Sequence, residues 1–442
     1  MTKHSSPLQF FLALPNSFFV LMQRAWLSGS GVITVLAVAY NLTPAEQGWY
    51  YAFQSVAAIY ILFDFGLSAL IVQVTAKEAM GLALTTDGEL IGDGAPRVAG
   101  FIKGVQRWYN YSSVACWILL PVGALVFQGR ASSLSSNWLW PWVLLVLSTS
   151  ASQIVSPWPF ILEGLGQIRE AYLLRLWQGV VGSVLVWVAL FWGASIYAAA
   201  MRPLAITAVA IAWFVLTRPK LLRQIWAGNT AAFAWKDQIS GLHGRTAVSW
   251  VAGYVLIHLY VPVLFSASGP TVAGQFGLSM TIANTLALFS QSWVTSSFPM
   301  LAQAAASRNW KRMDHAFSVA FRFGVALYLA GAIAVLLGFR ALEGTHYGSR
   351  LLPLRELSVL LLAFFATHVA TLLETQVRAY RRDPFALNSA TCALITLAAV
   401  FPVAHADAAM GVASLSALVS IAIRLPWSVY LFRRSNQRWR YA

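Results

Sequence analysis

Runs of apolar residues long enough to cross a bilayer recur along this chain from end to end. About 20 such residues cross the hydrocarbon core as a helix, because a helix satisfies its own backbone N–H and C=O groups. A transmembrane barrel would instead alternate polar and apolar residues over segments of about 10. Charged residues make up 10% of the chain, against about 25% in soluble proteins. The pattern predicts an all-α polytopic membrane protein.

Twelve transmembrane helices are expected, near 17–41, 49–74, 108–128, 138–162, 171–192, 198–217, 246–266, 272–299, 316–338, 356–377, 385–404 and 409–431. Trp49, Tyr50, Tyr51, Trp108, Tyr109 and the "NWLWPW" run at 137–142 mark span ends as an interfacial aromatic belt. The net charge of +15 sorts by side of the membrane, which explains it better than nucleic-acid binding. Only Arg130, Arg202, Arg340, Arg350 and Arg355 fall on the side of the Pro44 turn. Most other basic residues fall on the side of the termini, which predicts cytoplasmic termini. The segment 1–19 lacks a small-residue cleavage site and reads as uncleaved, with a short interfacial helix over Pro7–Leu14. Cys116 and Cys392 lie in apolar spans far apart in sequence and read as buried small hydrophobes.

The two halves of the chain resemble each other. Arg24 opens the first span and Arg245 the seventh; "EQGWYYAF" (46–53) matches "VAGQFGLS" (272–279), aligning Gly48 with Gly274; Glu163 matches Glu374. Six spans per half give both copies the same orientation, so the expectation is a tandem parallel repeat of two six-helix lobes around a central cavity. The division expected is 1–217, a basic cytoplasmic linker over 218–245, and 246–442.

Ionisable groups within spans are costly and mark functional sites or ion pairs. Arg24 and Asp64 lie equally far from Pro44 on either side, so an antiparallel hairpin puts them at one depth and predicts a pair. Packing alone could account for such a pair. The second half carries Gln291, between Ser290 and Ser292, where the carboxylate would be. Arg175, Arg322 and Arg424 enter the inner third of spans five, nine and twelve, either as phosphate-binding forks or snorkelling to headgroups. Glu163 and Glu374 end spans four and ten, and Glu374 has Arg378 at i+4. His258 and His368 are side chains of a type that titrates near neutrality, though a lone histidine is more often satisfied by a neighbour. Prolines 121, 157, 159, 262, 402 and 426 predict kinks, with "IVSPWPF" (154–160) the strongest breaker. "GTHYGSR" (344–350) reads as a solvated loop. No Walker, G-x-S-x-G, H-E-x-x-H or paired-cysteine motif occurs, so no catalytic residue, metal or cofactor is expected.

The first two spans (24–78), with "PAEQGWYY" and "FDFGLS", and "EGLGQIREAYLLRLWQ" (163–178) resemble bacterial oligosaccharide flippases of the O-antigen translocase type. These belong to the multidrug/oligosaccharidyl-lipid/polysaccharide (MOP) superfamily. The resemblance implies a non-enzymatic flippase in the bacterial inner membrane. It would carry an undecaprenyl-diphosphate-linked oligosaccharide to the periplasmic leaflet by alternating access coupled to a proton or sodium gradient. Polysaccharide polymerase machinery is a further expected partner. A cationic cavity holding the diphosphate is implied, with Arg24, Arg175, Arg322 and Arg424 as binding residues and Asp64, Glu163, Glu374 and His258 as coupling or charge partners. The alternatives are a cation or drug antiporter of the same superfamily and a membrane polysaccharide polymerase or ligase.

Overall fold

The computed structural model describes residues 16–64, 66–134, 137–227, 248, 250–380 and 384–440. The expected Pro7–Leu14 helix, most of the 218–245 linker, and Arg245 lie outside them. The described chain is almost entirely helical; its sheet is one antiparallel hairpin pairing Ala83 with Ile91 and Leu84 with Leu90. That hairpin falls between the second and third expected spans. Arg218, at the end of the sixth span, donates to the Thr85 and Thr86 carbonyls of the hairpin and to Glu170 at the start of the fifth span.

Among the described residues, ten helices are long and apolar enough to span a membrane. Two departures reconcile this number with twelve. The run Ala386–Arg438 is one of the ten, but its backbone leaves helical geometry at Asp407 and Ala408. A Cβ on Gly411 would lie 2.8 Å from the Val403 carbonyl oxygen. Eight residues of straight helix rise about 12 Å, so the chain reverses here and this run is two spans. The second span is the other departure: it is broken into Pro44–Ala57, Tyr60–Asp64 and Leu67–Glu78. Gly66 sits at φ +76° between the last two pieces, a conformation glycine adopts without a Cβ penalty.

Local sequence accounts for two of the helix boundaries. Thr43-Pro44-Ala45-Glu46 is a complete capping box with proline in the first turn, so the second span starts there. The fourth span breaks between Val155 and Trp158, at the Ser156–Pro157 step expected from sequence. Carbonyls near these breaks find side-chain donors, as buried backbone must. Trp108 donates to the Phe63 carbonyl, Gln153 to that of Tyr60, and Gln106 to that of Ile154.

Two apolar clusters lie within single halves. Leu67 and Ile71 of the second span, with Phe101, Ile102, Trp158 and Phe214, belong to one. Val294, Leu301, Met313 and Leu372 belong to the other. The largest cluster instead crosses between halves, joining Trp49, Phe53, Phe127 and Trp142 to Phe265 and Phe276. It lies towards the Pro44 end of the spans. Beside it the two halves meet backbone on backbone. A Cβ on Gly274 would lie 2.7 Å from the Gly48 nitrogen, and one on Gly48 would lie 1.9 Å from the Pro270 oxygen. Residues aligned as repeat counterparts thus touch each other, as counterparts do where a twofold axis passes.

Candidate functional site

The Pro44 face is sealed between the halves. Gln47 is buried and donates to the carbonyls of Gly274 (2.9 Å) and Arg350 (3.0 Å). Arg130 donates to Ser266 and Ala267 carbonyls at the end of the seventh span, where a cation suits the exposed C=O groups. Arg350, expected in a solvated loop, is 3% exposed and is held by His346 at 2.8 Å. The loop folds back because Gly348 packs on the Leu342 carbonyl. Desolvation at this face would raise the Glu46 carboxyl. Hydrogen bonds from Ser195 and Thr43, with the Arg350 charge, outweigh it and hold that carboxyl below its ordinary value.

Towards the other face, Arg24 reaches across the seam instead. Its Nη1 donates to Thr295 Oγ1 on the eighth span at 3.1 Å. The expected Arg24–Asp64 ion pair is not made. Asp64 accepts from Tyr109 of the third span and from Ser68 at 3.1 Å. The break after Asp64 defeats the depth argument, which treated the second span as one straight helix. Depth also says nothing of azimuth, and Asp64 faces the third span.

The remaining residues divide cleanly. Arg175 pairs with Glu163 at 2.7 Å and lies over the rings of Phe160 and Tyr172. It borders a cavity of about 200 Å³ with Tyr60, Gln153, Ser156 and Gln178. Arg424 lies at the end of a π-helical turn, Val419–Arg424. It approaches Glu374 and Thr371, both at 3.5 Å. Glu374 is 3% exposed and also meets Arg378 and Ser428, each at 3.4 Å. Each repeat-matched glutamate therefore holds an arginine from a neighbouring helix. Arg322 is exposed and bonds only its own helix, at the Ser318 carbonyl and hydroxyl. Its neighbour Phe323 packs edge-on against Trp293 at 4.8 Å, two residues from Thr295. Arg322 thus lies near the level of the Arg24–Thr295 bridge. Among the described residues, neither Arg24 nor Arg322 has a carboxylate in ion-pair range. His258 stacks on Tyr254 at 5.5 Å and joins neither arginine group. Along the same seam, Ile33, Leu36, Tyr40, Phe191, Leu278 and Ile282 line an apolar groove of about 680 Å³.

This arrangement is that of a multi-pass membrane protein whose helices meet along a seam closed at one face. The chain has the fold of MOP-superfamily transporters, so the likeness read from sequence holds at the level of fold. It is similar to the MATE multidrug transporter DinF-BH, with a TM-score of 0.63, 12% identity and 96% of each chain covered. The lipid II flippase MurJ in its inward closed conformation gives a TM-score of 0.60 at 11% identity, covering 96% of this chain and 90% of that one. Inward-facing and outward-facing MATE family structures give 0.60 and 0.59. No protein-family model and no curated protein matches the chain.

Proposed function

We propose that the chain is a flippase for an undecaprenyl-diphosphate-linked oligosaccharide in a bacterial inner membrane. The termini lie in the cytoplasm, so the sealed Pro44 face is periplasmic and the chain is poised to load from inside. Residues 1–217 and 246–442 are the bodies that rock, joined by 218–245. The observation that carries the reading is the pair of guanidinium groups without carboxylate partners, Arg24 and Arg322, on opposite halves of the chain. A diphosphate accepts paired N–H bonds from such groups, and a planar fork suits it better than an ammonium. Arg175 and Arg424, neutralised by Glu163 and Glu374, position helices in this scheme. The apolar groove along the seam suits the lipid chain. Coupling to a proton or sodium gradient supplies the driving force, and polymerase machinery receives the product.

Reconstitution in liposomes with a labelled lipid-diphosphate oligosaccharide tests this. Wild type renders the label accessible on the opposite leaflet. Arg24→Ala lowers the rate at least about tenfold, the loss of roughly 1.4 kcal/mol expected of one charged hydrogen bond, and Arg24→Lys recovers part of it. A cation or drug antiporter, the reading suggested by the multidrug transporters of similar fold, would export a cationic dye and leave the lipid in place. Normal flipping by Arg24→Ala removes the gripping role.

A further inference from the structure

His368 lies in the tenth span, is 2% exposed, and has no hydrogen-bond partner at either ring nitrogen. An orphaned imidazole in a membrane interior costs free energy unless it is used. Its surroundings are specific. The ring stacks on Tyr328 of the ninth span at 5.2 Å. Tyr328 donates its hydroxyl proton to the Leu361 carbonyl at 2.9 Å. Gly324, one turn before Tyr328, lets the helices pack closely here: a Cβ there would lie 3.1 Å from the Ser290 carbonyl oxygen and 3.9 Å from His368 Nε2. Ser290 belongs to the eighth span, is fully buried, and its hydroxyl is likewise unpartnered. Three helices therefore meet at a basic nitrogen with a free lone pair.

The charged and titratable groups on the packed elements do not compensate a second proton. On the ninth span they are Tyr328 and Arg322, the latter exposed and bonded to Ser318. On the eighth span Ser290 faces the site and does not titrate. Further along the tenth span Glu374 is engaged by Arg378, Ser428 and, from the π-helical turn, Arg424. A proton needs no cavity, only the lone pair, so the dry packing does not bar it.

We propose that His368 is a proton-binding site whose occupation opposes the arrangement sealed at the Pro44 face. This rests on the ion-coupled transporter reading. Placing a second proton on the ring here buries an unpaired cation, which is costly. An arrangement in which the eighth span, in withdrawing Gly274 from Gly48, also draws Ser290 off the ninth and tenth spans hydrates the ring and takes the proton at ordinary cost. By linkage, acid shifts the population away from the sealed state. The eighth span connects the two events, since it carries both Ser290 and the seal glycine Gly274.

The probe is the proton itself. Spin labels at Ser132→Cys and Thr345→Cys, exposed on the Pro44 face in opposite halves, report opening; Cys116 and Cys392 are buried. In the full chain without substrate, the longer distance gains population as pH falls from 8 to 5, by at most about tenfold per pH unit for one proton. His368→Gln and His368→Phe, the second keeping the ring stack, abolish the shift. An unchanged wild-type distribution overturns the proposal, as does a shift of the same size in His368→Phe. Should both variants misfold, 15N-histidine spectra of wild type decide. A ring titrating in step with the distance change supports the site, and no such ring sinks it. Flipping is scored separately: a chain that shows the shift but fails to flip the lipid-linked oligosaccharide sinks the substrate reading alone. A chain that flips it without a pH-driven shift sinks the His368 site alone.

Discussion

Adding one methyl group at Gly48 should open the Pro44 face. The Cβ of Gly48→Ala would lie 1.9 Å from the Pro270 oxygen, 2.5 Å from its carbonyl carbon and 2.8 Å from its Cα. All three are backbone atoms at the start of a helix of 37 residues, Pro270–Ala306, so no side chain can swing away. Ordinary contact needs about 3.5 Å, so the helices must part by about 1.5 Å. Overpacking of this kind costs roughly 1–3 kcal/mol. Each 1.4 kcal/mol is about tenfold in population, so the open form gains between about 5-fold and 150-fold. The assay is the distance between labels at Ser132→Cys and Thr345→Cys, with Gly29→Ala as control because nothing lies within 4 Å of a Cβ there. Gly48→Ala shifts the distribution to longer distances and Gly29→Ala does not. Should Gly48→Ala keep the wild-type distribution while remaining folded, the backbone crossing is not the seal.

Three further outcomes follow from single contacts. Glu374→Gln leaves Arg424 without its carboxylate in a nearly buried setting. It should lower the unfolding free energy more than Glu163→Gln, by up to about 3 kcal/mol against about 1, since the Glu163 pair is more exposed. The Glu46 carboxyl is held below its ordinary value, so its stabilisation is complete above the unfolded value, about 4.3, and is lost as pH falls through the folded value. Acid melts should therefore show a smaller loss below pH 4 in Glu46→Gln than in wild type. Thr295→Val removes the acceptor of Arg24 without changing side-chain shape. Flipping should keep at least half its rate if the bridge only parks the guanidinium, and the unfolding free energy should change by less than about 1.5 kcal/mol.

The spans were legible because hydrocarbon leaves a chain few choices, and "SPWP" showed where the fourth span breaks. The break after Asp64 was not legible. No proline announces it, and Gly66 alone is weak evidence inside an apolar run. The side chains that satisfy the freed carbonyls, Trp108 and Gln153, come from other spans. The same distance in sequence hid the true partners of Arg24 and Asp64. Equal depth across a turn fixes one coordinate of a side chain and leaves its direction around the helix open. Of the candidate arginines, sequence brought all four inside spans. It could not say that two would be neutralised by the repeat-matched glutamates and two would not. His368 looked like any lone histidine; its want of a partner is visible only once Tyr328, Gly324 and Ser290 surround it.

Gly48 and Gly274 abut each other and are also counterparts in the repeat. A single half of this chain paired with a copy of itself would bring its own glycine against its own glycine. The geometry binds the two positions to one fate: a side chain gained on either helix of the crossing wedges both.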